Sequence, residues 1–131
     1  MYTINIKSSQ KIDLIEISMR IQELVSKGDV AEGICFIFVP HTTAGVTINE
    51  NADASVAVDI REAMNRIFDS MQFQHLEGNS PGHVKSTVVG CSTSIPISDR
   101  KLMLGTWQGI FFCEFDGPRN RKIYVQLLPT K

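Results

Sequence analysis

Three common classes are closed off by what this sequence lacks. It has no surplus of positive charge: 13 Lys and Arg stand against 14 Asp and Glu, for a formal net charge of −1. Binding to a nucleic-acid backbone leans on a surplus of cations, so a general DNA or RNA partner is excluded while a local anion site stays open. Cysteine is scarce, odd in number and scattered, at Cys35, Cys91 and Cys113, with no CxxC spacing. That excludes a disulfide framework and a zinc knuckle. Cys35 and Cys113 lie inside apolar runs and read as small core residues rather than reactive thiols, which fits a reducing, cytoplasmic setting. No apolar run approaches the ~20 residues of a membrane helix, so no membrane partner is expected. The start, Met1-Tyr2-Thr3-Ile4-Asn5, is not a charged-then-apolar leader.

What is present is an ordinary globular composition, 43% apolar and 21% charged over 131 residues. This predicts one domain, residues 1–131, large enough to bury roughly two-thirds of its unfolded surface. Residues 2–7 alternate and predict a strand. Residues 11–27 carry Ile12, Ile15, Met19, Leu24 and Val25 among polar residues, which predicts an amphipathic helix stopped by Gly28. Residues 33–39 are a continuous β-favouring run, hence a buried strand, and 45–49 a short one. A second helix is predicted at about 53–71, capped by Asn51 or Asp53. Residues 74–83 read as a loop. Strands are predicted at 84–90, 92–97, 101–104, 109–115 and 122–128, the last two joined by a turn at Asp116-Gly117-Pro118. Helices early and strands late predict an α+β fold: a mixed or antiparallel, sandwich-like sheet with two main helices packed against it.

Five segments can carry chemistry. Pro40-His41-Thr42-Thr43 follows the buried strand, so its polar groups stand at a sheet rim fixed by the core behind. His41 can act as base, acid or metal ligand, and Thr42 and Thr43 can offer hydroxyls to an anion; the plainer reading is a turn with a surface histidine. Asn49-Glu50-Asn51-Ala52-Asp53 holds more polar groups than one helix cap needs, so capping alone and a site role stand level. The segment from His75 to Ser86 has two histidines eight residues apart, with Glu77, Asn79 and Ser80 between and Lys85 and Ser86 after. His41, His75 and His83 together would suit zinc or a similar ion with an open position. Without a metal they can do acid–base work while Lys85 binds phosphate. Gly105-Thr106-Trp107-Gln108 can present an indole for stacking beside an amide, or Trp107 can plug the core. Arg119-Asn120-Arg121-Lys122 can steer an anion, though a solvated hairpin tip is the plainer reading.

In this order, His41-Thr42-Thr43, Thr47 to Asp53, Glu77-Gly78-Asn79 with His83-Val84-Lys85-Ser86, and Leu104 to Ile110 resemble the YjbQ-like family, over nearly the whole chain. Some of its members are named secondary thiamine-phosphate synthases. The resemblance implies a homotrimer with a cleft near the subunit boundary. His41, Asp53, His83 and Glu50 would be catalytic there. Thr42, Thr43, Asn49, Lys85, Ser86 and Gly105 to Gln108 would hold a small phosphorylated heterocycle. The implied reaction joins a pyrimidine methyl diphosphate to a thiazole phosphate and releases pyrophosphate; Lys85, Arg119 or a bound divalent metal, zinc or magnesium, could supply the charge that the leaving diphosphate needs. The chain has no acidic pair spaced like a diphosphate–magnesium motif. Two other functions fit the same residues: a metal-dependent hydrolase or lyase built on the three histidines, and a non-catalytic trimer that binds a small anion or metabolite.

Overall fold

A computed structural model describes residues 1–75 and 77–130. It contains β1 (Tyr2–Lys7), β2 (Asp13–Glu16), α1 (Ser18–Lys27), β3 (Gly33–Phe38), β4 (Ala44–Glu50), α2 (Ala54–Phe68), α3 (Ser80–Val89), β5 (Ser92–Ser98), β6 (Lys101–Leu102), β7 (Gln108–Glu114) and β8 (Asn120–Pro129). The strands form two antiparallel sheets, one ordered β1-β8-β3-β5-β6 and the other β2-β7-β4. The α+β expectation with an antiparallel sheet is met.

The core lies between the sheets. Ile4 and Ile6, Cys35 and Ile37, Ile95 and Ile97, and Ile123 and Val125 point inward at alternate positions of the large sheet. Val46, Ile110 and Phe112 answer from the small sheet, and Ile17, Ile21 and Val25 of the α1 segment close one end. The second face of β7 is also covered: Phe111, Cys113 and Phe115 pack against Leu14, Ala57, Met64 and Val89. Burial on both faces is why 109–113 reads as an unbroken apolar run.

Two elements differ from their sequence expectation. The helix expected at 11–27 starts only at Ser18, because residues 13–16 pair with β7, Leu14 opposite Cys113. The hydroxyl of Ser18 accepts the Ile110 N–H at 2.8 Å where the ladder turns into helix. Its buried stripe is Ile17, Ile21 and Val25, and Met19 faces solvent. The expected strand at 84–90 and the last four residues of the expected loop at 74–83 are instead α3, a third helix that carries His83. Pro81 occupies its first turn and Gly90, at φ 99°, ends it. The buried side of α3 is Ser80, Gly82, Lys85 and Ser86, so no apolar stripe marks it. A Cβ on Gly82 would stand 2.8 Å from the carbonyl oxygen of Phe115, so only glycine lets α3 lie this close to the end of β7.

Candidate functional site

The first cluster forms where the chain crosses from the large sheet to the small one. Phe38 pairs with Tyr124, so Pro40 would be next to face Lys122, and proline has no N–H to give. The His41 ring fills that place: Nε2 lies 3.1 Å from both the N–H and the carbonyl oxygen of Lys122. It accepts the N–H in one tautomer and donates to the oxygen in the other. Burial, then the nearby Arg121 charge, lowers the His41 pKa below the ordinary imidazole range. The expected result of an NMR titration is therefore a neutral His41 at pH 7; a midpoint above 6.5 would contradict this environment.

Beneath His41 lies a buried ion pair. Arg121 is turned inward with Ile123 and Val125, and its Nε donates to Glu114 Oε1 at 2.8 Å. Nη2 donates to the other carboxylate oxygen and to Thr43 Oγ1 at 2.8 Å. Glu114 also accepts from the Ser8 hydroxyl at 2.6 Å and the Asp116 N–H at 3.1 Å. Burial raises the Glu114 pKa, but the Arg121, Ser8 and Asp116 bonds outweigh it and hold the carboxyl below its usual range. Thr43 is thus spent on structure, whereas Thr42 is exposed at the rim.

Past Thr42 opens a cleft of about 360 Å³ lined by Thr42, His75, Asn79, His83, Asp116 and Arg119 among others. The His75 and His83 rings meet edge to face, centroids 5.2 Å apart. His75 Nε2 is 3.8 Å from Glu77 Oε2. Arg119 is fastened by Asp116, through Nε to the backbone oxygen at 2.7 Å and Nη2 to the carboxylate at 3.0 Å. Asn79 Nδ2 donates to that carboxylate at 2.9 Å, and the buried Oδ1 of Asn79 has no partner among the described residues. Burial raises the Asp116 pKa, but these donors outweigh it and the carboxyl stays low. The result is a polar wall with two imidazoles and two guanidinium groups, Arg119 exposed at the surface and Arg121 buried behind it.

The other expected site residues stand elsewhere. Asn49, Glu50 and Asp53 lie at the far end of β4, about 20 Å from Ala44 at ~3.3 Å per residue. Asp53 caps α2, accepting from the Ser55 N–H at 2.9 Å and hydroxyl at 2.7 Å, which lowers its pKa and makes it a weak base. Asn49 Oδ1 accepts the Glu50 N–H at 2.8 Å. The 105–108 turn sits at this same end, its Trp107 carbonyl accepting the Asn51 N–H at 3.0 Å. Gln108 Oε1 closes the turn on the Gly105 N–H at 2.8 Å. Trp107 is 63% exposed, so it does not plug the core, and Thr106 is exposed beside it.

Lys85 and Ser86, expected to bind substrate, point inward instead. Lys85 is 1% exposed and its Nζ donates to Asn65 Oδ1 at 2.8 Å and Asp69 Oδ1 at 2.7 Å, fastening α3 to α2. The Ser86 hydroxyl donates to the Ala44 oxygen at 2.6 Å. Lys85→Ala is expected to cost about 2–4 kcal/mol, read as a lower urea midpoint, because a stem and a charge are lost together. Lys85→Met keeps the stem and should recover most of that; a Met variant as unstable as the Ala variant would refute the packing role.

The three histidines do not form a metal cage. Among the described residues, no group of three or more His, Cys, Asp or Glu converges as metal ligands. His41 is held by the Lys122 backbone, and only His75 and His83 approach each other. Cys35 and Cys113 are buried, with thiols pushed up to about 11 and about 12 by burial, so they are not nucleophiles; Cys91 is exposed. No helix among the described residues is long and apolar enough to cross a membrane. The expectation of a solvated tip at 119–122 fails for Arg121, the buried centre of the region; Arg119, Asn120 and Lys122 are exposed, and Arg119 also walls the cleft. Arg121 was detectable by its phase, two residues before Ile123. Glu114 had no comparable signal, since every residue around it is buried.

The same architecture recurs in known proteins. A UPF0047 protein of Methanocaldococcus jannaschii is 49% identical over all of this chain and 96% of its own. The YugU protein of Bacillus subtilis is 39% identical over 96% of this chain and 97% of its own. A crystal structure of a YjbQ/UPF0047 family protein from Clostridium acetobutylicum superposes with a TM-score of 0.95 at 43% identity, covering 98% of this chain and 100% of the other. A YbjQ-like protein from Sulfolobus solfataricus superposes with a TM-score of 0.93 at 32% identity, covering 98% and 95%. A family profile described as UPF0047 protein YjbQ-like matches residues 2–130, and the chain belongs to that family.

Proposed function

We propose that this chain is an enzyme acting on small phosphorylated heterocycles, with thiamine-phosphate synthesis as its nameable reaction. The carrying observation is the cleft in which the paired imidazoles of His75 and His83 stand near a guanidinium held in place by one carboxylate. In the reaction the C–O bond to the diphosphate breaks and its electron pair leaves with the diphosphate. The thiazole nitrogen lone pair forms the new C–N bond. The leaving group gathers negative charge, so fixed N–H donors aimed at it lower the barrier. Arg119 and the Thr42 hydroxyl bind the diphosphate in this reading, and a histidine of the pair donates to the bridging oxygen as it departs. Any magnesium arrives with the diphosphate.

The homotrimer belongs to the same reading. The outward face of β3 exposes Ile34, Phe36 and Phe38, and Leu128 stands opposite Ile34 on β8. We assign this face to a second copy of the chain. Association is the way the Glu50–Trp107 end of one copy can wall the histidine cleft of another, supplying an aromatic surface that the cleft lacks.

The test is to incubate the purified chain, magnesium, the pyrimidine methyl diphosphate and the thiazole phosphate, and to follow thiamine phosphate and pyrophosphate together. Equal formation of both supports the reading. Neither product, at any protein concentration up to full oligomer, refutes it.

A further inference from the structure

A second cleft, of about 380 Å³, opens on the other side of Arg121, on the outward surface of the large sheet. Its lining includes Asn5 and Lys7 of β1, Asn120 and Lys122 of β8, and His41. The register sets the first four as two cross-strand pairs, Asn5 opposite Lys122 and Lys7 opposite Asn120. The lysines therefore occupy one diagonal, roughly 7–8 Å apart at Cα, and the amides the other. No Asp or Glu lines the cleft. Among the described residues neither lysine has a carboxylate within 4.0 Å, in contrast to Lys85, Arg119 and Arg121. Lys122 Nζ lies 5.6 Å from the centre of the Tyr124 ring, a weak hold that leaves its N–H groups free. Two unpaired cations on adjacent strands repel, and a bound anion relieves that repulsion.

We infer that the Asn5–Lys7–Asn120–Lys122 block is a second anion seat, for the phosphate of a phosphate monoester, separate from the His75–His83 cleft. The strip His41-Thr42-Thr43 divides the two seats, and Arg121 contributes to both linings. The inference deepens the proposed function and rests on it only for the ligand's identity: a reaction that joins two phosphorylated molecules needs two places for phosphate. The diphosphate occupies the histidine cleft and the monoester the lysine block, so their organic parts meet over His41 and Thr42.

An amide-resolved NMR titration of the full chain with inorganic phosphate, repeated with pyrophosphate, tests this without turnover. The expected result is two independent responses, one at residues 5–7 and 120–122 and one around His83, with separate dissociation constants. Lys7→Gln/Lys122→Gln should weaken the first by about tenfold or more and leave the second within about twofold. Lys7→Arg/Lys122→Arg should restore the first. Arg119→Gln should do the reverse of the lysine double variant. A response confined to the histidine cleft overturns the second seat and leaves the proposed function in place. A response confined to residues 5–7 and 120–122 keeps the second seat and removes the ground for the proposed reaction. Equal shifts at distant lysines such as Lys27 and Lys101, or a response that survives the double Gln variant, mean a diffuse ion cloud and overturn the seat.

Discussion

His83→Ala is expected to lower thiamine phosphate formation by about 10²-fold or more, the usual worth of a positioned proton donor. The substitution falls on the half-exposed side of α3, away from the buried Lys85 and Ser86, so the fold should survive it. His75→Ala should fall short of that if His75 only orients His83, and match it if His75 is the donor. The double variant tells whether the pair acts as one unit, since residues that act together do not add. Trp107→Ala should also remove most activity with little effect on stability, because the indole is 63% exposed. The two losses are expected to complement. Mixed oligomers of His83→Ala and Trp107→Ala chains would pair an intact histidine cleft with an intact indole from another copy. Activity regained on co-expression, absent from either variant alone, supports a site shared between copies. No regain, with mixed oligomers verified by mass, refutes that shared site.

How far the sequence disclosed this arrangement depends on what each residue is buried against. Strands with one apolar face announced themselves: residues 2–7 and 122–128 alternate, and the structure pairs them. The loop carrying His75 was legible from its composition only as far as Asn79, since Ser80 to His83 belong to α3; the rim position of His41 was legible too. Helix α3 was not, because its inward face is Ser80, Gly82, Lys85 and Ser86, and a polar buried stripe has no hydrophobic period. Its cues were Pro81 near the start and Gly90 past the end, which outweigh the β-favouring Thr87-Val88-Val89. The 13–16 segment misled in the opposite sense: Ile12, Ile15 and Met19 fit a helix, but Leu14 is claimed by β7. Distance was the larger gap. A sequence gives no measure of span, so it does not show that about 20 Å of strand separates the two ends of β4 within one chain, which leaves a site built from both ends to form only between copies.

The largest stability effect is expected at Glu114, since the sheet crossing that carries His41 and Thr43 stands on it. Glu114→Ala leaves the Arg121 guanidinium buried without a counter-charge, which costs about 3–5 kcal/mol. A chemical denaturation midpoint within error of the parent would refute this. Replacing both partners by leucine should recover only part of the loss. Buried pairs can often be exchanged for apolar residues, but here the Asp116 N–H and Ser8 hydroxyl would lose their acceptor and Thr43 its donor. The same carboxylate sets the acid limit. Its pKa is lower folded than unfolded, so its contribution is fully present above the ordinary value of 4.5 and is lost as pH falls through the folded value. Asp116 and Asp53, also held low, act in the same direction below 3.8. His41, held below 6.5 in the fold, brings a first, small decline as pH falls through 6.5; the carboxylates add a second decline below about pH 4.5, and in Glu114→Gln that second decline should be shallower, starting from a lower plateau. Amide shifts at His41 and Thr42 should change in Glu114→Gln even at pH 7. An unstable variant with an unmoved 41–43 strip would mean that the ion pair supports the core alone and does not position the rim of the two clefts.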